Sequence, residues 1–578
     1  MPPSDFPRLA PTGIFRPSLL VWLLFAVVAT WLTAGAGGPS LMTDDAMRLA
    51  QVRDLLSGQP WYDVVQTRMN TPYGLSMHWT RIVDAGVASL SFLFGERAAL
   101  YIWPMVLLFP ALLALAKIAL RIGGQTCVYV VLGLALLATS LLSDFLPGVI
   151  DHHNAQLVCV LWGLAFVLDG LDTPRAGLWA AITIVLGLGI GMETLPFALA
   201  LSGVVAGLWI AAPERFGLLL RWYGSGIAAS AVLLLAVTGI STGACDTYSP
   251  FYAVLGLTGG VGLVCLSWVG NQNLFIRLAA LGCVAAVMLG AGVWSEPQCL
   301  MGPYAQMNPA LQAIWLSRIY EAQAAWTFAG MAPSEFVQGY LYAAFGAGCW
   351  IFAARDSQVP FRAIPGLVLA VAAVVAATIQ IRAVPYGVAL GLPAIALVVV
   401  RAAAVFRNLR VVGTALLIFL LSDVTFALAG SSVIEGTMQV EKRMADFQAE
   451  TQCFAPVAIA ELGKLPKGRV AAFVNQGPAI LAYTAHSVIA GPYHRDAAGI
   501  LDTYTLFAGD LTQARNILAE RGIDYVVTCT GSRNWAYYRQ QAQAGSLITL
   551  LARGVTPGWL GKLSDVPIGS VQIYKVLN

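Results

Sequence analysis

Residues 125–171, QTCVYVVLGLALLATSLLSDFLPGVIDHHNAQLVCVLWGLAFVLDGL, decide the fold of this chain. Two apolar runs, 125–143 and 156–171, enclose a short polar loop that contains Asp151-His152-His153. Apolar runs of this kind are typical of helices that cross a membrane. The tight loop between them therefore holds the Asp151 carboxylate beside two imidazoles at a membrane surface.

The same alternation of apolar runs and short connections continues to residue 430. Hydrophobic residues make up 58% of the 578 residues and charged residues only 11%, less than half of the roughly 25% found in soluble proteins. Lipid must cover part of this apolar surface, since a soluble fold could not bury it all. About thirteen helices are predicted to span the membrane, at 19–36, 98–116, 125–143, 156–171, 177–191, 195–212, 224–240, 251–269, 278–294, 337–354, 363–380, 384–400 and 411–430.

Every second connection between these runs carries Lys or Arg. Short loops rich in these residues stay cytoplasmic, which predicts an inner N-terminus and an outer C-terminus. The first run could instead be a signal peptide, and its removal would leave the sidedness of the loops unchanged. We expect a multi-pass protein of a bacterial inner membrane, with its active site, formed by the outer loops, facing the periplasm. The Lys and Arg residues of these predicted cytoplasmic connections are Arg8/Arg16, Lys117/Arg121, Arg175, Arg215/Arg221, Arg277, Arg355/Arg362 and Arg401/Arg407/Arg410.

Four sizeable pieces are predicted to lie outside the membrane, at 37–97, 144–155, 294–336 and 431–578. All five histidines of the chain fall in them. With the short 241–250 loop included, they also hold two pairs of cysteines that are candidate disulfides in an oxidising compartment, Cys245–Cys299 and Cys453–Cys529. Unpaired cysteines are an equally acceptable interpretation, because cysteine counts do not fix pairing.

The chain is predicted to divide into a transmembrane domain, 1–430, and an α/β domain outside the membrane, 431–578. Beyond Gly430 the apolar runs shorten and the charge density rises. The pattern predicts buried strands at Arg469–Val474 and Ile523–Cys529, an amphipathic helix at Leu511–Arg521 and a further strand at Ser570–Val576. The domain contains no Walker loop, no GxGxxG after a strand and no Ser-His-Asp signature. The loop Gly491-Pro-Tyr-His-Arg-Asp496 is either a solvated turn or faces a substrate.

Two acidic motifs in the outer loops are candidates for chemistry. Asp44 and Asp45 directly follow the first helix and could bind a divalent cation or act as a base. Alternatively, Asp44 caps the helix that continues through Arg48, Val52 and Leu55. In the second motif, Asp151 and the two histidines beside it suit a hard or borderline divalent metal. The alternative is a polar loop whose histidines face water.

Three further ionisable residues lie at the ends of hydrophobic runs or beside them. Arg382 sits at the outer end of its helix, where a guanidinium can bind a phosphate at the lipid headgroup level. Snorkelling of Arg382 to the interface is the rival explanation. Glu193 also defaults to a functional hypothesis because intramembrane charge is expensive. Glu321, in Ser317-Arg-Ile-Tyr-Glu321, is predicted to lie on an amphipathic surface helix, where an ordinary solvated glutamate is the simpler interpretation.

Several of these motifs resemble those of GT-C glycosyltransferases, and most closely the single-subunit oligosaccharyltransferases of archaea and bacteria. Asp44 stands just after the first helix, as does that family's first-loop aspartate. The stretch Asn70-Thr-Pro-Tyr-Gly74, followed by His78-Trp79 and Asp84, is similar to the family's Pro-x-Gly, then Trp, then Asp. Gly148-Val-Ile-Asp151-His152-His153 is similar to the Gly-x-x-Asp-His-His of archaeal members. About thirteen helices and an outward C-terminal domain also agree.

The resemblance implies an enzyme that moves a sugar from a polyprenyl-(di)phosphate-linked donor to an acceptor on the extracytoplasmic face. It implies partners of that donor type, a glycan, lipid or protein acceptor, and membrane lipid, with no nucleic acid. Asp44, Asp151 and His153 would hold the divalent cation, Mg²⁺ or Mn²⁺. Arg382 and His152 would contact the donor phosphate. Asp44, Glu321 and Asp45, the last if the register shifts by one residue, would be the catalytic carboxylates.

One departure from the family leaves the acceptor open. Oligosaccharyltransferases carry Trp-Trp-Asp-Tyr-Gly in the C-terminal domain, which reads the acceptor sequon. The corresponding place here, after the predicted strand, is Asn475-Gln476-Gly477-Pro478. Transfer to protein asparagine is therefore in doubt. A lipid-linked-glycan flippase or transporter without transferase activity is the alternative function, although the sequence has no clear internal repeat of the transporter type. A structural subunit that has lost activity is a third.

The predicted topology can be tested with reporter fusions. A periplasm-dependent reporter joined within the 144–155 loop is expected to be active, because that loop follows three predicted spans, an odd number, from an inner N-terminus. A reporter joined at Arg175, in a predicted cytoplasmic connection, is the matched control and is expected to be inactive. Activity at Arg175 and silence at 144–155 would overturn the topology.

Overall fold

The computed structural model describes residues 12–304, 307–355, 360–404, 410–435, 437–563 and 571–577. Up to residue 429 its helices are α1 (Thr12–Gly35), α2 (Thr43–Leu56), α3 (Arg81–Phe94), α4 (Glu96–Leu137), α5 (Thr139–Leu142), α6 (His153–Gly170), α7 (Ala176–Ile190), α8 (Leu195–Ala211), α9 (Pro213–Thr238), α10 (Pro250–Leu266), α11 (Leu274–Ser295), α12 (Pro309–Ile314), α13 (Ala325–Met331), α14 (Pro333–Glu335), α15 (Tyr342–Arg355), α16 (Pro360–Ile379), α17 (Val384–Ala403), α18 (Arg410–Leu420) and α19 (Asp423–Ala429).

Every predicted membrane run overlaps one of these helices. Among the described residues, 8 helices are long and apolar enough to cross a membrane, or 9 if α18 and α19, bent by 51°, form one span. The run 98–116 and residues 125–137 of the next run lie in α4, whose 42 residues break at Gly124, where φ is 74°. A helix of that length extends about 60 Å, twice the roughly 30 Å of a hydrocarbon core. The chain is therefore a multi-pass membrane protein, as predicted.

The basic connections that were predicted to share one side of the membrane meet in the structure. Nζ of Lys117 lies 2.6 Å from Asp169, and Arg121 and Arg362 lie 3.0 and 3.2 Å from the same carboxylate oxygen of Asp172. These residues come from the connections near 117–121, 169–175 and 355–362. Arg8 and Arg407, two members of the predicted set, lie outside the described residues.

α17 forms the centre of the helical bundle. It is buried along most of its length and packs on α15 through Gly391 and Gly346. A Cβ placed on Gly346 would lie 2.6 Å from the Cα of Gly391, so the two backbones touch. Small residues at such crossings are the usual means of close helix packing in membranes.

The C-terminal part contains the helices α20 (Thr437–Gln452), α21 (Pro456–Gly463), α22 (Gly477–Tyr483), α23 (Ala497–Ala508), α24 (Leu511–Arg521), α25 (Arg533–Gln541) and α26 (Leu547–Ala552). The strands of the whole chain are β1 (Val65–Gln66), β2 (Leu75–Ser76), β3 (Arg469–Ala471), β4 (Ser487–Val488), β5 (Tyr525–Cys529), β6 (Leu560–Lys562) and β7 (Val571–Val576). β1 and β2 form a small antiparallel pair in the first outer loop.

The remaining strands form one mixed sheet in the order β4-β3-β5-β7-β6. β3 is parallel to β4 and β5, and β7 is antiparallel to β5 and β6. The predicted strands at β3, β5 and β7 and the predicted helix at α24 are confirmed, although β3 ends at Ala471. β4 and β6 were missed, because two or three residues are too few to show an alternating pattern. The domain boundary at residue 430 stays a prediction.

The sheet shares its apolar core with the first outer loop. Met69, Leu75 and Trp79 are buried in one cluster with Val470 and Tyr525 of the sheet. The backbone N–H of Val488 in β4 donates to the carbonyl of Arg68 at 2.8 Å, and the N–H of Thr71 donates to the carbonyl of Val488 at 3.0 Å. The loop therefore extends the hydrogen bonding of the sheet edge.

Both candidate disulfides are present, Cys245–Cys299 and Cys453–Cys529. The first joins the 241–250 loop to the segment after α11. The second joins the end of α20 to the end of β5. Both lie on the side that was predicted to face an oxidising compartment, in agreement with the usual location of disulfides.

Removal of Cys453–Cys529 is expected to destabilise the C-terminal sheet. The bond closes a loop over a sequence separation of 76 residues, and loss of such a cross-link typically costs about 2–4 kcal/mol. The double substitution Cys453→Ser/Cys529→Ser should lower the midpoint of thermal unfolding and speed proteolysis within 453–529. Cys283→Ser, which alters an exposed free cysteine, is the control and should change neither.

Candidate active site

A cavity of about 520 Å³ lies where the predicted outer pieces meet. Each of the four large pieces contributes to its wall. Five residues predicted as site residues line it: Asp44, His152, His153, Glu321 and Arg382. Asp151 lies directly behind this wall, in contact with both histidines.

The Asp151-His152-His153 loop forms a compact cluster. Oδ1 of Asp151 lies 2.5 Å from Nδ1 of His152, and Oδ2 lies 3.4 Å from Nε2 of His153. One potential ligand atom from each residue can be chosen so that all three lie within 4.8 Å of one another. The loop owes this shape to Gly148, whose φ is 99° and whose Cβ position would clash with Pro39 at 2.9 Å.

Arg48 connects this loop to the first outer loop. Its side chain is 1% exposed, and its Nη1 donates to Oδ1 of Asp84 at 2.6 Å. Its Nη2 donates to Oδ1 of Asp151 at 3.4 Å, and its guanidinium carbon lies 4.5 Å from the ring centre of Trp79. Arg48 was not predicted as a site residue. The sequence signal that could have identified Arg48 is its spacing from Asp44 and Val52, which puts all three residues on the same face of α2.

The adjacent carboxylates Asp44 and Asp45 point to different places. Asp44 faces the cavity, where the hydroxyl of Tyr493 approaches its carboxylate. Asp45 is 5% exposed, and its Oδ1 accepts hydrogen bonds from the backbone N–H groups of Ile150 and Asp151 at 2.8 and 3.0 Å. Asp45 thus positions the Asp151 loop rather than facing the cavity.

The alternative of Asp44 as a helix cap is wrong. α2 begins at Thr43, and its N-cap is Met42, which makes no side-chain capping bond. Asp44 therefore stands inside the first turn, where a carboxylate is favoured by the helix dipole and remains free to project into the cavity.

Arg382 joins two acidic residues at the cavity wall. Its Nη1 lies 3.3 Å from Glu193 and its Nη2 lies 3.3 Å from Glu321. Glu193 also accepts a hydrogen bond from Gln156 at 3.1 Å, and Nε2 of His152 lies 3.8 Å away. Glu193, whose role the sequence left undecided, therefore belongs to the same charged cluster as His152 and Arg382.

The predicted amphipathic helix around Glu321 is wrong. Leu316–Arg318 and Tyr320–Ala322 are separate 3-10 turns, divided by an extended Ile319. The side-chain amide of Gln323 donates to the carbonyls of Ser317 and Ile319, at 2.9 Å each. These bonds satisfy carbonyls that a continuous helix would have paired with its own backbone.

The electrostatics of the cavity favour a bound cation near Asp44. Burial, followed by the charges of Asp151 and Glu321, raises the pKa of Asp44 well above its ordinary value. A cation against Asp44 would offset this repulsion and restore the ionised form. Of the predicted ligands, Asp151 and His153 belong with His152 to one group whose ligand atoms lie within 4.8 Å of one another, and Asp44 faces the cavity that this loop lines. Carboxylate and imidazole donors are of the kind that Mg²⁺ or Mn²⁺ accepts.

The charged form is disfavoured at Asp44 but favoured at His152. Burial opposes its charged form, but Asp151 and Glu193 prevail and raise the pKa of His152 to about 10. Its imidazole is therefore protonated at neutral pH. Together with Arg382, it places positive charge on the cavity wall, the charge that a phosphate group requires.

Aromatic rings from distant parts of the sequence complete the wall. Trp79 packs edge to face on Tyr493, with 5.5 Å between ring centres, and Tyr304 packs in the same way on His494 at 5.5 Å. Tyr493 and His494 belong to the loop 491–496, so this loop faces the cavity. Sequence reasoning had left its role open.

Solved structures of the oligosaccharyltransferase from Archaeoglobus fulgidus share this fold. The apo crystal structure gives a TM-score of 0.70 at 16% identity, covering 94% of this chain and 73% of that chain. The complex with an inhibitory peptide and a dolichol-phosphate gives 0.64 at 14% identity, covering 96% and 74%. No protein-family model and no curated protein sequence matches the chain. The predicted GT-C-like fold is confirmed.

Loss of Arg48 is expected to destabilise the site. Arg48→Met would leave Asp84 and Asp151 buried beside fewer positive charges, and removal of one partner of a buried ion pair typically costs about 3–5 kcal/mol. The free energy of unfolding, measured in detergent, should fall accordingly. Arg515→Met, at an exposed position of α24, is the matched control and should change it by less than about 0.5 kcal/mol. Equal stability of the two variants would contradict this role of Arg48.

Proposed function

We propose that this chain is a membrane glycosyltransferase. It moves a sugar from a polyprenyl-phosphate- or diphosphate-linked donor to an acceptor, at the cavity between the membrane helices and the C-terminal sheet. The observation that carries the proposal is the convergence of Asp44, His153 and two cationic groups, His152 and Arg382, on one cavity, with Asp151 in contact with both histidines behind its wall.

The fold supports a lipid-linked donor. The archaeal oligosaccharyltransferase that shares the fold has been solved with a dolichol-phosphate, with an acceptor peptide and with zinc and sulfate. In this chain the corresponding ligands would be a polyprenyl-linked sugar, an acceptor and a divalent cation. A bacterial inner membrane, with the cavity facing the periplasm, fits the distribution of basic loops and the two disulfides.

The cavity residues suit cleavage of a sugar–phosphate bond. Asp44, Asp151 and His153 would hold Mg²⁺ or Mn²⁺, which stabilises the negative charge of the leaving phosphate. Protonated His152 and the fork of Arg382 would bind phosphate oxygens. Glu321, whose side chain is 48% exposed at the cavity, would accept the proton of the attacking acceptor group. Asp45 holds the backbone of the 150–151 loop.

The cavity wall where we place the acceptor differs from that expected of an enzyme that recognises a glycosylation sequon. Asn475, at the place of the missing tryptophan motif, lines the cavity together with Phe447, Glu450 and Arg533. Glu450 and Arg533 form an ion pair at 2.9 Å. This wall offers charged and amide groups that suit the hydroxyls of a glycan or lipid headgroup, and we favour such an acceptor over protein asparagine.

Release of sugar from a polyprenyl carrier tests the proposal. The purified chain in nanodiscs, supplied with Mn²⁺ and a lipid extract that contains polyprenyl-linked sugars, is expected to release or transfer sugar. Asp44→Ala and Asp151→Ala should each reduce the rate at least about 100-fold, since they remove charge stabilisation of the transition state. Glu520→Ala, at an exposed carboxylate of α24, is the control and should retain the full rate.

Two results would contradict the proposal. One is full activity in both folded aspartate variants, which would exclude the cation site. The other is translocation of intact lipid-linked glycan across the membrane of proteoliposomes that contain the chain, without sugar release. That is the result expected of a flippase.

A further inference from the structure

A second cluster of potential metal ligands lines the same cavity. It comprises His78, Asp246 and His494, and ligand atoms from all three lie within 4.8 Å of one another. The three residues come from the first outer loop, the 241–250 loop and the C-terminal part. They share no residue with the group Asp44, Asp151 and His153, so the two clusters are separate.

The contacts within this cluster are short. Nε2 of His494 lies 2.5 Å from Oδ2 of Asp246, and the ring centres of His78 and His494 are 4.7 Å apart. Nδ1 of His78 is buried and, within the described part of the chain, makes no hydrogen bond. A buried ring nitrogen without a partner is costly, and a ligand that accepts its lone pair or its proton would remove this cost.

We propose that His78, Asp246 and His494 bind a zinc ion. Two imidazoles and one carboxylate match the ligands of zinc sites that keep an open position for water or substrate. The other group contains two carboxylates and one imidazole and is the harder set, which suits Mg²⁺ or Mn²⁺. The two clusters would therefore select different metals.

Neighbouring groups orient the proposed carboxylate ligand. Nη2 of Arg495 lies 2.5 Å from Oδ1 of Asp246, and its Nε lies 2.7 Å from Oδ2. With zinc on Oδ2, the bond from Nη2 to Oδ1 remains and fixes the plane of the carboxylate. Hydrogen bonds of this kind to ligating side chains are a regular part of zinc sites. Arg495 also donates to the carbonyl of Met77 at 3.1 Å, next to His78.

The site would hold three segments of the chain together beside the cavity. Asp246 directly follows Cys245, whose disulfide to Cys299 anchors its loop. His494 lies in the loop 491–496, and His78 lies next to Trp79 of the cavity wall. A zinc ion there cross-links the C-terminal part to the membrane part and presents its fourth coordination position to the cavity. This inference goes beyond sugar transfer and does not depend on it.

Zinc titration of the full chain tests the inference. Metal-free protein in nanodiscs would be titrated with Zn²⁺ in a calorimeter, alone and as His78→Asn, His494→Asn and His153→Asn. His78→Asn and His494→Asn should each weaken one binding event at least 10-fold, while His153→Asn, the matched histidine control, should retain that event. Zinc binding that is lost in His153→Asn and unchanged in the other two variants would overturn the proposal.

A second measurement covers the case in which the two variants do not fold. X-ray absorption at the zinc edge would be recorded on His153→Asn loaded with one equivalent of Zn²⁺. Two imidazoles in the first shell are expected, because without His153 the carboxylates Asp44 and Asp151 have only one imidazole beside them, that of His152; one imidazole or none would overturn the proposal. Failure of the transfer assay would leave both results unaffected, so the two proposals fail separately. Asp151→Ala should reduce transfer at least about 100-fold and keep the zinc event that depends on His494.

Discussion

The buried guanidinium of Arg48 is the interaction on which the site depends. It joins Asp84 and Asp151, which belong to different outer loops, and it lies under the ring of Trp79. A charge this deeply buried is stable only when paired. The pairing therefore fixes how far α2 stands from the Asp151 loop, and with it the separation of Asp44 and Asp151, the two carboxylates of the proposed cation site. Asp45 reinforces the same distance by bonding to the backbone at residues 150 and 151.

Around that fixed pair the cavity divides into regions of opposite charge. Asp44 lies in the acidic region, where burial and repulsion raise the pKa of its carboxyl group. His152 and Arg382 lie in the basic region, and Glu193 and Glu321 hold Arg382 between them. A ligand that carries both a phosphate and a bound cation is complementary to this arrangement. An uncharged solute passing through a transporter would gain little from it, and this is why we favour an enzyme.

Local patterns in the sequence predicted the elements well and the long-range contacts poorly. The helices, α24, β5 and the Asp-His-His loop follow from apolar runs, alternation and short spacing, which are properties of neighbouring residues. Arg48 was missed as a site residue because its partners stand 36 and 103 positions away. His78, Asp246 and His494 meet across still larger separations. The prediction of a helix at Glu321 was wrong because the chain there forms two 3-10 turns divided by an extended Ile319. The side chain of Gln323 donates to the carbonyls of Ser317 and Ile319, and such side-chain contacts cannot be inferred from hydrophobic periodicity.

The core that the sheet shares with the first outer loop sets an order for assembly of the protein. Met69, Leu75 and Trp79 leave the ribosome about four hundred residues before the β-strands that bury them. Until those strands arrive, the loop exposes apolar side chains and unpaired backbone groups at Arg68 and Thr71. The first outer loop is thus completed by strands that are synthesised much later, and a chain truncated before β3 would leave these apolar side chains and backbone groups exposed and prone to aggregation.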